Sequence, residues 1–272
     1  MSQAKADTNP AKTPEADELR LERQPNGVVT LTLNRPHVKN AISGSMWEPL
    51  RAIFQQVRET DADRALVITG AGGAFCAGAD LSENMVDAAH PLNAMHAVNA
   101  AALALHSMPK PTLAKVGGDA VGAGMNLALG CDLVVAGESA RFSEIFVRRG
   151  LSLDFGGSWL LPRLVGIHKA KELALLGDIL SARQAEELGI VNRVVPDDEL
   201  DDFADDWATR LAAGPPLALQ MSKRLLANAL SMSLSEALDS EAWAQSVNFT
   251  SQDTREGVVA FMEKRPPRFR GR

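Results

Sequence analysis

The pattern of apolar and polar positions in the first part of the chain predicts a hairpin followed by a helix. Residues 19–23 and 28–33 alternate on either side of a Pro-Asn-Gly turn, which is typical of two antiparallel strands. Apolar side chains then recur at helical spacing over residues 46–57. Ser45 and Glu48 have the spacing of a capping box, so we expect this helix to begin near Ser45.

The middle of the chain alternates between short apolar runs and segments with helical periodicity. The apolar runs at residues 65–69, 111–116 and 133–136 predict buried strands. Strands that alternate with helices indicate βαβ units and mainly parallel pairing, which makes α/β the expected fold class. A mobile loop is expected over residues 85–90. One further short strand is expected at residues 191–195. Helices are expected at residues 91–108, 122–129, 158–165, 168–176 and 182–188.

The chain is expected to divide into three segments. Residues 1–16 are polar, contain proline and lack the apolar stretch of a signal peptide, so we predict a disordered N-terminal tail. Residues 17–195 carry all the predicted strands and form the expected core. Residues 196–272 contain only helical patterns and form an expected C-terminal helical region. Its helices are predicted at residues 200–213, 216–230, 234–249 and 253–264.

Composition and charge narrow the range of functions. The 272 residues are 46% hydrophobic and 23% charged, as is usual for a globular protein, and the net charge is −6. An acidic chain of this kind argues against nucleic acid or an anionic membrane as the main partner. Two cysteines, with no metal-ligand spacing among the cysteines and five histidines, favour a reducing cytoplasm and no metal site. No apolar run approaches the roughly 20 residues of a membrane span.

Two glycine-rich stretches, residues 72–81 and 117–126, are the strongest candidates for chemistry. Each follows a predicted strand and opens into a segment that can begin a helix. Small residues let a ligand approach the backbone, and a helix start leaves N–H groups unpaired. Two such groups that converge on one point form an oxyanion hole, which stabilises negative charge on a carbonyl oxygen. Each stretch taken alone is also compatible with an ordinary turn.

Taken together and in this order, these stretches resemble the crotonase family, the enoyl-CoA hydratases and isomerases. The resemblance extends over residues 17–272 and implies a spiral of ββα units with a C-terminal helical trimerisation region. It also implies an acyl-CoA substrate, no cofactor apart from the coenzyme A of that thioester, and a homotrimer or hexamer. Further matching segments lie at residues 31–36, 40–42, 75–81, 131–136, 140–142, 156–166 and 185–191.

The resemblance assigns binding roles to individual residues. The oxyanion-hole N–H groups fall on Ala79 and Ala123, and the second of these positions is usually glycine in the family. The residues assigned to coenzyme A are His37, Val38, Lys39, Ala77, Gly78, Asp80, Leu81, Phe261 and Lys264. In the family, the C-terminal pair that Phe261 and Lys264 match often comes from a neighbouring subunit.

The acid/base positions depart from those of hydratases. Where hydratases carry two glutamates, this chain has Asn126 and Phe146. Neither side chain titrates, whereas hydration needs an activated water and a proton donor on one face of the alkene. Glu144 lies two residues before Phe146, so on an extended segment it would share that face but be displaced along the chain. We therefore expect Glu144 to be a poor substitute.

Asp154 is the remaining candidate acid/base. Family members that isomerise acyl-CoAs carry a carboxylate in this loop, just before the Gly-Gly at residues 156–157, and the stretch resembles ring-opened phenylacetyl-CoA isomerases. An alternative interpretation makes Asp154 the N-cap of the next helix. Capping would lower the pKa of this carboxyl, whereas an apolar pocket would raise it.

Several functions therefore remain open. The first is isomerisation of an enoyl-CoA or a ring-opened acyl-CoA through a thioester enolate, with Asp154 as the single acid/base. The second is hydration by a rearranged acid/base pair. A third is an acyl-CoA enzyme, such as a dehalogenase, in which this aspartate attacks as a nucleophile. The last is a protein that binds acyl-CoA without catalysis.

Overall fold

The computed structural model describes residues 18–82 and 91–272. The strands are β1 (Leu19–Arg23), β2 (Val28–Leu33), β3 (Ala65–Gly70), β4 (Thr112–Val116), β5 (Asp119–Val121), β6 (Leu133–Gly137), β7 (Arg141–Ser143), β8 (Leu180–Ser181) and β9 (Arg193–Val195). The helices are α1 (Trp47–Glu59), α2 (Pro91–His106), α3 (Ala123–Leu129), α4 (Gly157–Val165), α5 (Ile167–Leu176), α6 (Ala182–Glu187), α7 (Leu200–Ala213), α8 (Pro216–Asn228), α9 (Leu234–Thr250) and α10 (Gln252–Glu263).

A six-stranded sheet forms the body of the molecule, in the order β1-β2-β3-β4-β6-β9. β1 and β2 pair antiparallel as the expected hairpin, and the remaining neighbours pair parallel. The central strands carry apolar side chains on both faces, because helices cover both sides of a parallel sheet. The prediction of an α/β fold with mainly parallel pairing is confirmed.

A second, smaller sheet runs alongside the first and consists of β5, β7 and β8. The isolated bridges Ile42 to Ala79 and Cys76 to Ala120 extend it. Successive turns of the chain pass from the large sheet to this small sheet and then into a helix or 3₁₀ turn. This path is the expected spiral of ββα units. Its short strands were not predicted, because two or three residues are too few to show periodicity.

Two apolar cores lie on opposite faces of the large sheet. One contains the side chains of the sheet that face α1, α2 and α3. The other is closed by α7, whose Ala204, Ala208 and Ala212 recur every four residues and so form one narrow, fully buried face. The predicted segment boundary at residue 196 therefore precedes a helix that packs directly on the sheet.

The helices after α7 leave much apolar surface uncovered in the protomer. Large exposed hydrophobic side chains on α8 to α10 and the turns between them are Leu226, Leu230, Met232, Leu234, Leu238, Trp243, Val247, Phe249, Val258, Val259, Phe261 and Met262. Large exposed apolar side chains in such number are typical of protein interfaces. The homotrimer or hexamer stays a prediction.

One predicted helix cap is wrong. α1 begins at Trp47, after a 3₁₀ turn over Gly44–Met46, and no side chain caps it. Ser45 instead shares a hydrogen bond with the hydroxyl of Ser43, and the carboxylate of Glu48 is bound by Arg51. The predicted tail at residues 1–16 and the predicted loop at residues 85–90 lie outside the described residues. Within the described ranges, no helix is long and apolar enough to cross a membrane.

Candidate active site

The two glycine-rich stretches meet through their backbones. Cys76 N–H donates to the carbonyl of Asp119 at 2.9 Å, and Val121 N–H donates to the carbonyl of Cys76 at 2.9 Å. A side chain on Gly124 could not fit, because its Cβ would lie 2.2 Å from the carbonyl oxygen of Cys76. Glycine is therefore needed here for the strand of one stretch to touch the helix start of the other.

Gly78 brings Ala79 next to Ala123. Its φ of +95° is in the region that favours glycine, and a Cβ there would lie 2.9 Å from the carbonyl oxygen of Val121 and 3.5 Å from the nitrogen of Ala123. Ala123 is the first residue of α3, so its N–H has no acceptor within the helix. Among the described residues, neither this N–H nor that of Ala79 donates a hydrogen bond. The arrangement places two unpaired donors at adjoining turns.

The predicted coenzyme A residues before α1 lie against the first glycine-rich stretch. Asn40 is buried, with a φ of 58°, and its side-chain amide donates to the carbonyls of Ala71 and Ala74 at 2.8 and 2.7 Å. The carbonyl of Lys39 accepts from Ala77 N–H at 3.0 Å. The geometry thus joins the turn at residues 37–39 to residues 77–81, as the resemblance requires.

The other two predicted coenzyme A residues lie apart from this group. Phe261, near the end of α10, is 82% exposed, and Lys264 follows as the left-handed residue that ends the helix. Within the described protomer, no hydrogen bond or ion pair joins either residue to the turn at residues 37–39. The role of these two residues in binding coenzyme A stays a prediction.

The cation at Lys39 is already paired. Its Nζ lies 3.1 Å from Oδ2 of Asp119, and Nε of Arg141 lies 2.8 Å from Oδ1 of the same carboxylate. Burial alone would raise the pKa of Asp119, but the hydrogen bonds from Arg141 and Lys39 hold it below its usual value. Lys39 and Arg141 therefore share the carboxylate of Asp119.

Asn126, Glu144 and Asp154 lie together beyond the helix start of α3, the first two buried and Asp154 half-buried. Nδ2 of Asn126 donates to Oε2 of Glu144 at 3.4 Å and to the backbone carbonyl of Asp154 at 3.0 Å. Oε1 of Glu144 and Oδ1 of Asp154 are buried and have no hydrogen-bond partner among the described residues. Neither carboxyl forms an ion pair with a described residue. The cluster therefore holds two acids without a compensating cation.

Burial raises the pKa of both acids. The pKa of Glu144 rises to about 8, first through desolvation and then through the charge of Asp154, partly offset by the hydrogen bond from Asn126. Desolvation raises the pKa of Asp154 to about 6. Both carboxyl groups are therefore weaker acids than exposed ones, and the charge of Asp154 couples the titration of Glu144 to its own.

The capping interpretation of Asp154 is wrong. The cap position of α4 is Gly156, and no side chain accepts a hydrogen bond there. The backbone carbonyl of Asp154 accepts from Gly157 N–H at 2.9 Å, while its carboxyl oxygen Oδ1 stays unpaired. The carboxyl group is thus free for another role.

The backbone at Glu144 differs from the extended segment that the sequence predicted. The chain does not continue extended after β7, because a 3₁₀ turn over Ile145–Arg149 begins directly after this residue. Glu144 is 1% exposed and reaches Asn126, eighteen positions earlier in the chain. The available signal was a carboxylate that directly follows a short strand with two buried residues, Phe142 and Ser143.

One large cavity of the described chain lies elsewhere. It has a volume of about 750 Å³ and lies between α10 and the C-terminal residues. Its wall includes Arg265, which pairs with Glu256 and Glu263. This cavity shares no lining residue with the carboxyl cluster and has no part in the arrangement described above.

Comparison with known proteins identifies the family. The family model for enoyl-CoA hydratase/isomerase matches residues 23–272. The chain belongs to the enoyl-CoA hydratase/isomerase family. It is similar to the 1,2-epoxyphenylacetyl-CoA isomerase of Escherichia coli, with 42% identity over 94% of this chain and 99% of the relative. It is also similar to the 2,3-dehydroadipyl-CoA hydratase of Escherichia coli, with 37% identity over 94% and 99%.

Solved structures carry the same fold. The enoyl-CoA hydratase of Bacillus anthracis superposes with a TM-score of 0.89 at 32% identity, over 94% of this chain and 100% of that one. The enoyl-CoA hydratase of Mycobacterium smegmatis gives 0.87 at 35% identity, over 93% and 98%. The crotonase fold expected from the sequence is confirmed. The protein is an enzyme of this family, whose relatives include both isomerases and hydratases.

Proposed function

We propose that this protein isomerises an enoyl-CoA or a ring-opened acyl-CoA through a thioester enolate, with Asp154 as the base. One observation carries the proposal. Oδ1 of Asp154 is buried and has no hydrogen-bond partner among residues 18–82 and 91–272, while the two positions that hold glutamates in hydratases are Asn126 and Phe146. With its pKa raised to about 6, Asp154 is ionised at neutral pH yet more basic than an ordinary aspartate.

In the proposed reaction the thioester oxygen accepts hydrogen bonds from the N–H groups of Ala79 and Ala123. Asp154 removes a proton from the carbon next to the thioester, the α-carbon, and charge spreads into the enolate. The double bond moves when the γ-carbon, two carbons further along, gains a proton. One carboxylate is sufficient in principle, because Asp154 holds a proton once it has acted. An oxyanion-hole donor is worth about 10²–10³ in rate, and a general base about 10²–10⁴.

The substrate class and assembly follow from the family. The relative with 42% identity is named for an isomerase of 1,2-epoxyphenylacetyl-CoA, which favours isomerisation. The proposed coenzyme A site consists of the turn at residues 37–39, residues 77, 78, 80 and 81, and Phe261 and Lys264 from a neighbouring subunit. A cytoplasmic homotrimer or hexamer is part of the proposal.

The test begins with the wild-type protein in deuterated water. Acyl-CoAs are screened for deuterium exchange at the α-carbon and for movement of the double bond, and the best substrate is kept. We expect Asp154→Asn to lower isomerisation of that substrate by about 10² or more, with little change in melting temperature or acyl-CoA binding. Full activity of the variant would remove Asp154 from the mechanism.

A hydratase is the second candidate, and the position of Glu144 favours it. A buried acid beside a buried base could activate water and protonate the alkene. Hydration of crotonyl-CoA separates the two candidates. We expect very slow hydration, and a turnover of about 10 per second or more would favour the hydratase. Acyl-CoA binding by calorimetry without any turnover would indicate a binding protein.

A further inference from the structure

The proposed mechanism leaves one buried titratable side chain unused. Glu144 is 1% exposed, and its only hydrogen bond to a described residue comes from Asn126 at 3.4 Å. Its second carboxyl oxygen has no partner among the described residues. A purely structural side chain at a buried position is usually apolar or fully hydrogen-bonded, so Glu144 needs an explanation.

Glu144 follows the backbone that supports the proposed oxyanion hole. Gly122 N–H donates to the carbonyl of Ser143 at 2.8 Å, and Gly122 directly precedes Ala123. On the other side of Glu144, a Cβ at Gly122 would lie 3.8 Å from the side chain of Ile145. The residues on both sides of Glu144 therefore lie against the turn that presents the Ala123 N–H.

A single amide joins Glu144 to the proposed base. Asn126 donates to the Glu144 carboxyl and to the backbone carbonyl of Asp154. Gly157 leaves room for this amide, because a Cβ there would lie 2.4 Å from Nδ2 of Asn126. Oδ1 of Asn126 has no partner among the described residues. The helix α3 thus holds the two acid-bearing segments on either side of one side chain.

We propose that Glu144 is a second catalytic acid, which donates the proton to the γ-carbon while Asp154 keeps the proton that it took from the α-carbon. This inference rests on the isomerisation proposed above and assigns its second proton transfer. The bond between hydrogen and the α-carbon breaks as the Asp154 O–H bond forms. The enolate electrons then form the C–H bond at the γ-carbon as the Glu144 O–H bond breaks.

The protonation states agree with these roles. With a pKa of about 8, Glu144 carries its proton at neutral pH, whereas Asp154, with a pKa of about 6, is ionised. After one turnover the two charges are exchanged. The site returns to its first state when Asp154 loses a proton and Glu144 gains one, so no oxidant or other co-reactant is required.

The experiment compares Glu144→Gln with Asp154→Asn on the substrate found in the screen. Gln keeps the size of Glu144 and the oxygen that accepts from Asn126, but it has no acidic proton. We expect Glu144→Gln to lose about 10²–10⁴-fold in isomerisation while it keeps α-carbon exchange within about threefold of wild type. Asp154→Asn should lose both. Melting temperature and acyl-CoA binding serve as controls for folding.

Each outcome decides the matter. Isomerisation by Glu144→Gln at the wild-type rate overturns the inference and leaves the role of Asp154 intact. Parallel loss of exchange and isomerisation in Glu144→Gln also overturns it, because Glu144 would then only position Asp154. Absence of isomerisation in the wild-type protein overturns the proposed function and this inference with it.

A label experiment on the wild-type protein needs no variant. The substrate carries deuterium at the α-carbon and reacts in ordinary water for a single turnover. We expect only solvent-derived hydrogen at the γ-carbon, because Glu144 supplies it. Deuterium at the γ-carbon would mean that Asp154 returns the same proton, and the inference would be wrong.

Discussion

Asp63 and Glu144 are equally withdrawn from solvent, at 2% and 1% exposure, but their surroundings are opposite. Asp63 lies just before β3 and accepts from Nε of Arg23 at 3.0 Å and from Nη2 at 3.1 Å. Glu144 follows β7, where the amide of Asn126 is its only hydrogen-bond donor among the described residues. Arg23 therefore compensates the charge of Asp63, whereas no cation among the described residues compensates a charge on Glu144.

The difference lies in whether a cation compensates the charge of a buried carboxylate. Burial of an unpaired charge is unfavourable, so an acid without a cation stays protonated to a higher pH. Asp63 lies at the amino end of a parallel strand, where it bonds the hairpin to the start of β3. Glu144 and Asp154 lie with the helix start of α3, on the side where the parallel strands end. Ligands in α/β proteins commonly bind at that edge of the sheet.

The largest expected effect contrasts Asp154, the proposed base, with Asp63, the carboxylate that is paired with Arg23. Asp154→Asn should lower the turnover number for isomerisation by about 10²–10⁴, because the base is lost. Asp63→Asn should leave the turnover number within about twofold and destabilise the fold by about 1–3 kcal/mol, since Arg23 loses its partner. Steady-state kinetics and urea unfolding of both variants measure this. A fall in turnover of similar size in Asp63→Asn would show that the two regions are coupled.

A second prediction concerns the backbone donor at Ala123. Ala123→Pro removes the N–H at the first position of α3, where a helix tolerates proline, and the preceding Gly122 has no side chain to clash with the ring. We expect turnover to fall by about 10²–10³. Ala123→Gly keeps the donor and is the matched control, expected within about threefold of wild type. Equal activity of the proline and glycine variants would exclude this N–H from the oxyanion hole.

The contact between the two glycine-rich stretches could be predicted from the sequence, because glycine is required where two backbone segments lie too close together for a side chain. Gly78 and Gly124 are needed where two chain segments touch, whatever the neighbouring side chains are. Apolar runs before the two stretches supplied the strands, and the helices from residue 200 onward appear close to their predicted bounds. Such features depend on residues close together in the chain.

The acid/base part could be predicted only in part, because it depends on contacts across the fold. The amide of Asn126 reaches Glu144 only after the chain turns at the end of β7, and no local pattern announces that turn. The capping box at Ser45 was predicted wrongly for a different, local reason. Arg51 binds the carboxylate that a capping box would have used.

A third prediction is the dependence of isomerisation on pH. Turnover should rise about tenfold per unit below about pH 6, as the base ionises, and fall about tenfold per unit above about pH 8, as the acid loses its proton. The two apparent values belong to the coupled pair. Asp63→Asn should keep this bell shape, whereas the residual activity of Glu144→Gln should lose its alkaline limb. An alkaline limb that persists in Glu144→Gln would assign it to another group.

The smallest expected effect is on the stability of Glu144→Gln. With rising pH this variant should become more stable relative to wild type, whereas Asp63→Asn should be less stable than wild type. The pKa of Glu144 is about 8 in the folded protein and near 4.5 in the unfolded chain. Between these values the unfolded chain releases a proton that the folded protein keeps, so the free energy of unfolding falls as pH rises through this window. Below about pH 4.5 this contribution is fully present, and above about pH 8 it is lost.

Glu144→Gln removes this dependence because Gln does not titrate. The difference in free energy of unfolding, Glu144→Gln minus wild type, should therefore increase by about 1–3 kcal/mol from about pH 5 to about pH 9. Asp154 titrates in both proteins, so the difference between their pH curves isolates Glu144. Urea unfolding at several pH values measures the two curves. Parallel curves would mean that Glu144 is ionised in the folded protein already at neutral pH, and the contrast with Asp63 would then have no basis in charge.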